Sequence, residues 1–110
     1  MSVLDDIEKA LSSVDIPIGL GVYPNETNCG KIVFDKGDTK PKIFMGGIVT
    51  NTESFRVVVK GIDYKQLEQM CDIIRVALQN ANFVQVGGYN DVEPEQGETD
   101  LQLAVSFRTV

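Results

Sequence analysis

The segment SFRVVVKGIDYKQLEQMCDIIRVAL changes its hydrophobic period once, and that change constrains the fold more than any other feature of the chain. Over residues 55–60 the side chains alternate. Phe55, Val57 and Val59 share one side, while Arg56, Val58 and Lys60 share the other. After Gly61 the spacing switches to three and four, and Leu67, Met70, Cys71, Ile74, Ala77 and Leu78 form one helical stripe. Asp63, followed three residues later by Gln66, has the arrangement of a capping box at the helix start. Burying a large apolar side chain contributes roughly 1.5–3 kcal/mol, so the four larger members of the stripe contribute at most on the order of 6–12 kcal/mol before entropy. The helix holds only if a sheet lies beneath it, so strand and helix are expected to fold back on one another. The other side of the strand, one valine between two cations, is expected to face water or a neighbouring subunit.

The remaining segments fit around that unit. Val3, Leu4, Ile7, Ala10, Leu11 and Val14 recur at helical spacing, with Ser2 placed to cap and Pro17 to terminate. Strands are expected over 20–23 and 31–34. Another is expected to begin at 43–45, to kink at Gly46 and Gly47, and to continue over 48–50. Residues 83–86 read as a strand that the GGYN sequence bends or breaks, and 91–100, DVEPEQGETD, as an acidic connection. Residues 101–107 alternate most cleanly, with Leu101, Leu103, Val105 and Phe107 on one side. The expected fold is a single α+β domain over 1–110, in the order α-β-β-β-α-β-β. Its mostly antiparallel sheet carries two amphipathic helices on one face.

Composition limits the chemistry. The chain has 110 residues, 43% hydrophobic and 24% charged, which suits a folded domain. Sixteen acids against ten bases give a net charge of −6, so DNA binding through a basic face is not expected. There is no histidine and there are two cysteines, which removes Ser-His and Cys-His pairs and the usual zinc sets. A catalytic carboxylate pair is formally open, but no spacing singles one out, so no enzyme activity, cofactor or metal is expected. Gly19-Leu20-Gly21 begins a dinucleotide fingerprint that fails at Pro24, and the 91–102 stretch fails as a calcium loop at Gln96 and Gln102. Cys71 is expected in the core and Cys29, beside Gly30, at the surface. The N-terminus has no unbroken apolar run, and no window reaches the roughly 20 residues of a membrane helix. Synthesis in the cytosol with both thiols reduced is therefore expected. Lys31, Lys36, Lys40 and Lys42 make 31–42 a basic segment. It reads either as an ordinary charged hairpin or as the complement of an acidic loop from another subunit.

An N-terminal amphipathic helix, the proline loop YPNE, Gly-Gly strands, VVVKGIDYKQLEQMCDIIRVAL and the closing LQLAVSFRTV together resemble one family. It is that of the small tail-terminator or tail-completion proteins ("minor capsid proteins") of long-tailed bacteriophages and prophages. The resemblance implies a structural protein of the virion tail or neck, made in the bacterial host cytoplasm. Such a protein assembles as a ring, typically a hexamer, on the end of the tail tube. It ends tube polymerisation, meets the major tail tube protein and a head-completion or connector protein, and lets DNA pass without binding it specifically. Within such a ring, Asp91, Glu93, Glu95, Glu98 and Asp100 are expected at the lumen or a subunit joint. The competing expectations are a neighbouring neck protein and a small cytosolic ligand-binding or regulatory α+β module.

Overall fold

A computed structural model describes residues 3–34, 42–43, 49–50, 54–93 and 100–109. Helix α1 (Val3–Leu11) precedes strands β1 (Ile18–Leu20), β2 (Cys29–Phe34), β3 (Lys42–Ile43), β4 (Val49–Thr50) and β5 (Ser54–Gly61). Helix α2 (Tyr64–Asn80) follows, and strands β6 (Val84–Asp91) and β7 (Leu101–Arg108) complete the order. Five strands form one sheet in the order β1-β2-β5-β7-β6, in which only the β1–β2 pair is parallel. The expected α+β architecture is the one observed. Among the described residues no helix is long and apolar enough to cross a membrane.

Register explains how the core closes. Phe55 pairs with Phe34 and Phe107, Val57 with Ile32 and Val105, and Val59 with Leu103, so three strands present one continuous apolar face. Leu67, Met70, Cys71, Ile74 and Leu78 of α2 lie on it, and Ile7 and Leu11 of α1 join the same buried cluster. Phe55 stands at the centre. Its ring is stacked 5.7 Å from Phe107 and meets Phe83 edge-on at 5.3 Å, geometries favoured by the ring quadrupole.

Several elements differ in detail from the sequence reading. The first strand lies at 18–20 rather than 20–23, because it runs parallel to β2 from just after Pro17. The residues read as one kinked strand over 43–50 instead contribute β3 and β4, which pair with each other and not with the main sheet. Gly46 and Gly47 lie outside the described residues, as does Ser2. Asp63 does cap α2, but its carboxylate accepts from the N–H of Lys65 (3.1 Å), one position before the expected Gln66. The GGYN sequence bends β6 without ending it. Gly87, at φ +73°, forms a bulge between Val86 and Tyr89, after which pairing to β7 resumes as far as Asp91. Space at Gly61 is tight: a Cβ there would sit 2.5 Å from Asn28 Oδ1 and 3.1 Å from Leu67 Cδ2, so those side-chain ends would have to move.

Candidate functional site: the open face of the sheet

The side of the sheet away from the helices carries Lys31 and Val33 on β2, Arg56, Val58 and Lys60 on β5, and Gln102, Ala104 and Ser106 on β7. The expectation that this side of β5 faces water or another subunit holds only for Arg56, which is exposed. Val58 is 1% exposed, Ala104 4% and Gln102 6%, so the chain itself covers the centre. Part of the cover is Tyr23. Its hydroxyl donates to Gln102 Oε1 at 2.8 Å, and the ammonium groups of Lys31 and Lys60 lie 4.5 and 4.9 Å from its ring centroid. One aromatic ring therefore spans β2, β5 and β7, gaining cation–π attraction from two lysines that would otherwise repel each other.

Beside it lies a cleft of about 280 Å³ whose lining includes Gly21, Lys31, Arg56, Val92, Glu93 and Gln102. Asp100 approaches Lys60 to 3.8 Å. Two of the five acids expected together, Glu93 and Asp100, thus sit at a basic patch of their own chain. Asp91 is turned the other way. As the last residue of β6, paired with Leu103, it lies on the helix side and accepts a 2.8 Å hydrogen bond from the Tyr64 hydroxyl. Glu95 and Glu98 lie outside the described residues. Of the basic segment, Lys31 reaches this site and Lys42 begins β3, while Lys36 and Lys40 also lie outside the described residues.

On the opposite side, the outer half of β6 is tied to α2. The Tyr89 hydroxyl donates to Asp72 and accepts from Arg75 Nε at 3.1 Å, and Tyr64 bonds Asp91 near the start of the helix. Burial, reinforced by the Asp72 bond, pushes the Tyr89 phenol up. For Tyr64 the bond to Asp91 is the leading cause of the same shift.

Neither thiol is poised for chemistry. Cys71 lies in the core, and burial pushes it up to about 12. Cys29 corrects the sequence reading: it is fully buried, not exposed, because its Sγ donates to the carbonyls of Glu26 (3.4 Å) and Pro24 (3.6 Å). Burial raises its pKa too, with Lys60 opposing. Among the described residues no group of three or more His, Cys, Asp or Glu side chains converges as a metal site would require.

Sequence reasoning missed Tyr23, which it placed at the end of an expected strand over 20–23, where the YPNE stretch begins. The signal was the facing side chains: Lys31, Lys60 and Gln102 lie on adjacent strands and need an aromatic or acidic cover. No protein-family model matches the sequence, and no curated protein is significantly similar to it.

Proposed function

We propose that this chain is a structural subunit of a phage or prophage tail. It acts as a tail terminator or head–tail joining protein that assembles as a ring on the end of the tail tube, stops its polymerisation and lets DNA through. The observation that carries the reading is apolar surface left outside a completed core. Ile62 is 74% exposed, Ile73 50% and Val76 49%, apolar area that a contact with another chain would remove from water. The sheet edges are poor candidates for those contacts. The edge strand β1 has three residues and β6 is bulged, devices that discourage strand-to-strand addition. Side-chain contacts between copies fit these features. In such a ring the acidic connection 91–100 is placed at the passage or a joint, where the contacts of Asp91 with Tyr64 and Asp100 with Lys60 within the chain would have to be kept or exchanged. An acidic lining repels the DNA phosphates and keeps the passage free of binding.

Light scattering after gel filtration, with negative-stain microscopy in the presence and absence of tail tubes, tests this. The expected result is a monomer in dilute solution, rings at high concentration or on tube ends, and arrested tube growth. A protein that stays monomeric throughout and leaves tube growth unchanged overturns it.

The cleft beside Tyr23 favours a second reading, a small ligand-binding module. Lys31, Arg56, Glu93 and Gln102 offer both signs of charge and an amide around about 280 Å³. That reading requires a thermal shift with a charged metabolite, because a ligand that binds only the folded state stabilises it.

A further inference from the structure

We infer that the cleft beside Tyr23 binds a small organic anion, its charged oxygens between Arg56 and Lys31 and its apolar body against Val33, Val58 and Val92. The inference rests on the small-ligand reading of that cleft and assigns its ligand a sign and a size. Among the described residues, the strands of the main sheet place Lys31, Arg56, Lys60 and Arg108 on the open face and bring no acid to it. The chain as a whole carries a net charge of −6, so this face runs against the average. Glu93 and Asp100 reach the face from the connection between β6 and β7. Asp100 lies 3.8 Å from Lys60, outside the cleft lining, so that acid answers a cation of its own. Within the lining, Lys31 and Arg56 meet Glu93 alone, and among the described residues neither cation forms an ion pair. A negative charge is what the cleft lacks.

Register sets the two cations at a usable spacing. Lys31 pairs with Val58 and Arg56 with Val33, so the cations are diagonal neighbours and the two valines complete the square. Diagonal neighbours on adjacent strands lie about 7–8 Å apart, within reach of one group for long side chains. The guanidinium fork matches a pair of anionic oxygens, and an ammonium has three N–H donors, so the attraction of Lys31 to the Tyr23 ring leaves it able to bind an anion. Val33, Val58 and Val92 decide between an organic and an inorganic ion. A bare hydrated ion gains nothing from them, whereas an alkyl group laid on them leaves water. The volume of about 280 Å³ falls below the range of about 300–1,000 Å³ for sites of drug-sized ligands, which limits the body to a few carbons. Glu93, a like charge in the same lining, opposes the ligand and holds its affinity down.

Nitrogen–proton NMR titration of the full chain at low salt tests the assignment with 3-methylbutanoate, its neutral amide, 3-methylbutylamine and inorganic phosphate. The carboxylate is expected to give saturable shifts at Val33, Arg56, Val58 and Val92, with a Kd of about 1 mM or tighter. Phosphate is expected to bind more weakly, and the amide and the amine not to saturate. Arg56→Gln, at an exposed position, is expected to weaken the carboxylate by about tenfold or more with the thermal melt unchanged. Glu93→Gln is expected to tighten it by about twofold to fivefold, a gain that misfolding cannot mimic. Saturation by the amide or the amine in place of the carboxylate overturns the anion and leaves the small-ligand reading standing. Weaker carboxylate binding by Glu93→Gln, or unchanged binding by Arg56→Gln, likewise overturns the anion site. Phosphate binding as tightly as the carboxylate overturns the organic body. Shifts of equal size around Lys9 and Arg75, away from the cleft, would mark non-specific ion pairing and overturn the site. No saturable shift at the cleft with any of the four overturns both the inference and the small-ligand reading.

Discussion

The two faces of the sheet are built from the same three central strands and are closed by different physics. On the helix side, Phe55, Val57, Val59, Leu103, Val105 and Phe107 meet two amphipathic helices, and the resulting layer is apolar. On the other side, Val58 and Ala104 are equally buried, yet their neighbours are Lys31, Lys60 and Gln102, and Tyr23 lies among them. The first face draws its stability from area removed from water. The second depends on one ring satisfying two cations and an amide, so its closure is local and conditional. The comparison teaches that a side chain's burial alone does not identify the core: Val58 and Val57 are adjacent and both buried, but only Val57 belongs to the helix-packed cluster.

Substitution at the centre of the helix-side face separates the two most strongly. Phe55→Ala is expected to destabilise by about 3–5 kcal/mol, a large share of the roughly 5–15 kcal/mol typical of a domain. Urea unfolding followed by circular dichroism measures it. A loss no larger than that of Ser106→Ala on the open face would erase the distinction. The same face carries the alkaline response. Folded Cys71 holds its proton up to about 12 while the unfolded thiol ionises from its ordinary value of 9.0. The folded state therefore binds more protons between those values, and the stability contributed by Cys71, fully present below 9, is lost as pH rises towards 12. Tyr89 and Tyr64 shift in the same direction. Thermal melts from pH 8 to 10.5 are expected to fall more steeply for the natural chain than for Cys71→Ala, and parallel slopes would remove Cys71 as the cause.

The helix-side face was legible because its signal is periodic. The alternation at 55–60 and 101–107 and the stripe from Leu67 to Leu78 each repeat several times, and the structure places their apolar residues together, except for Leu101, which is 45% exposed at the end of β7. The open face has no such repetition. Tyr23 reaches Gln102, 79 positions away in sequence, and Asp100 reaches Lys60 across a long loop of chain, so neither contact leaves a local pattern. Cys29 misled for the same reason: its polar neighbours suggested exposure, while two loop carbonyls fold over it. Asp91 read as part of an acidic run because the bulge at Gly87 hid the continuation of β6.

The open face yields smaller effects, and their additivity is informative. Tyr23→Phe removes only the hydroxyl bonded to Gln102 and is expected to cost about 0.5–1.5 kcal/mol. The ring contributes separately. A double-mutant cycle of Lys31→Met with Tyr23→Leu isolates the ammonium–ring attraction, expected at about 0.5–1 kcal/mol for a partly exposed pair. Methionine keeps much of the aliphatic stem of Lys31, so the lost term is chiefly the charge. The second cation makes the sign diagnostic. If Lys60 already satisfies the ring, removing Lys31 also relieves repulsion between two ammonium groups, and the coupling shrinks towards zero. Repeating the cycle in a Lys60→Met background then restores it. Coupling near zero in both backgrounds would mean that Tyr23 covers the sheet by hydrophobic area alone, and the two faces would differ in composition without differing in mechanism.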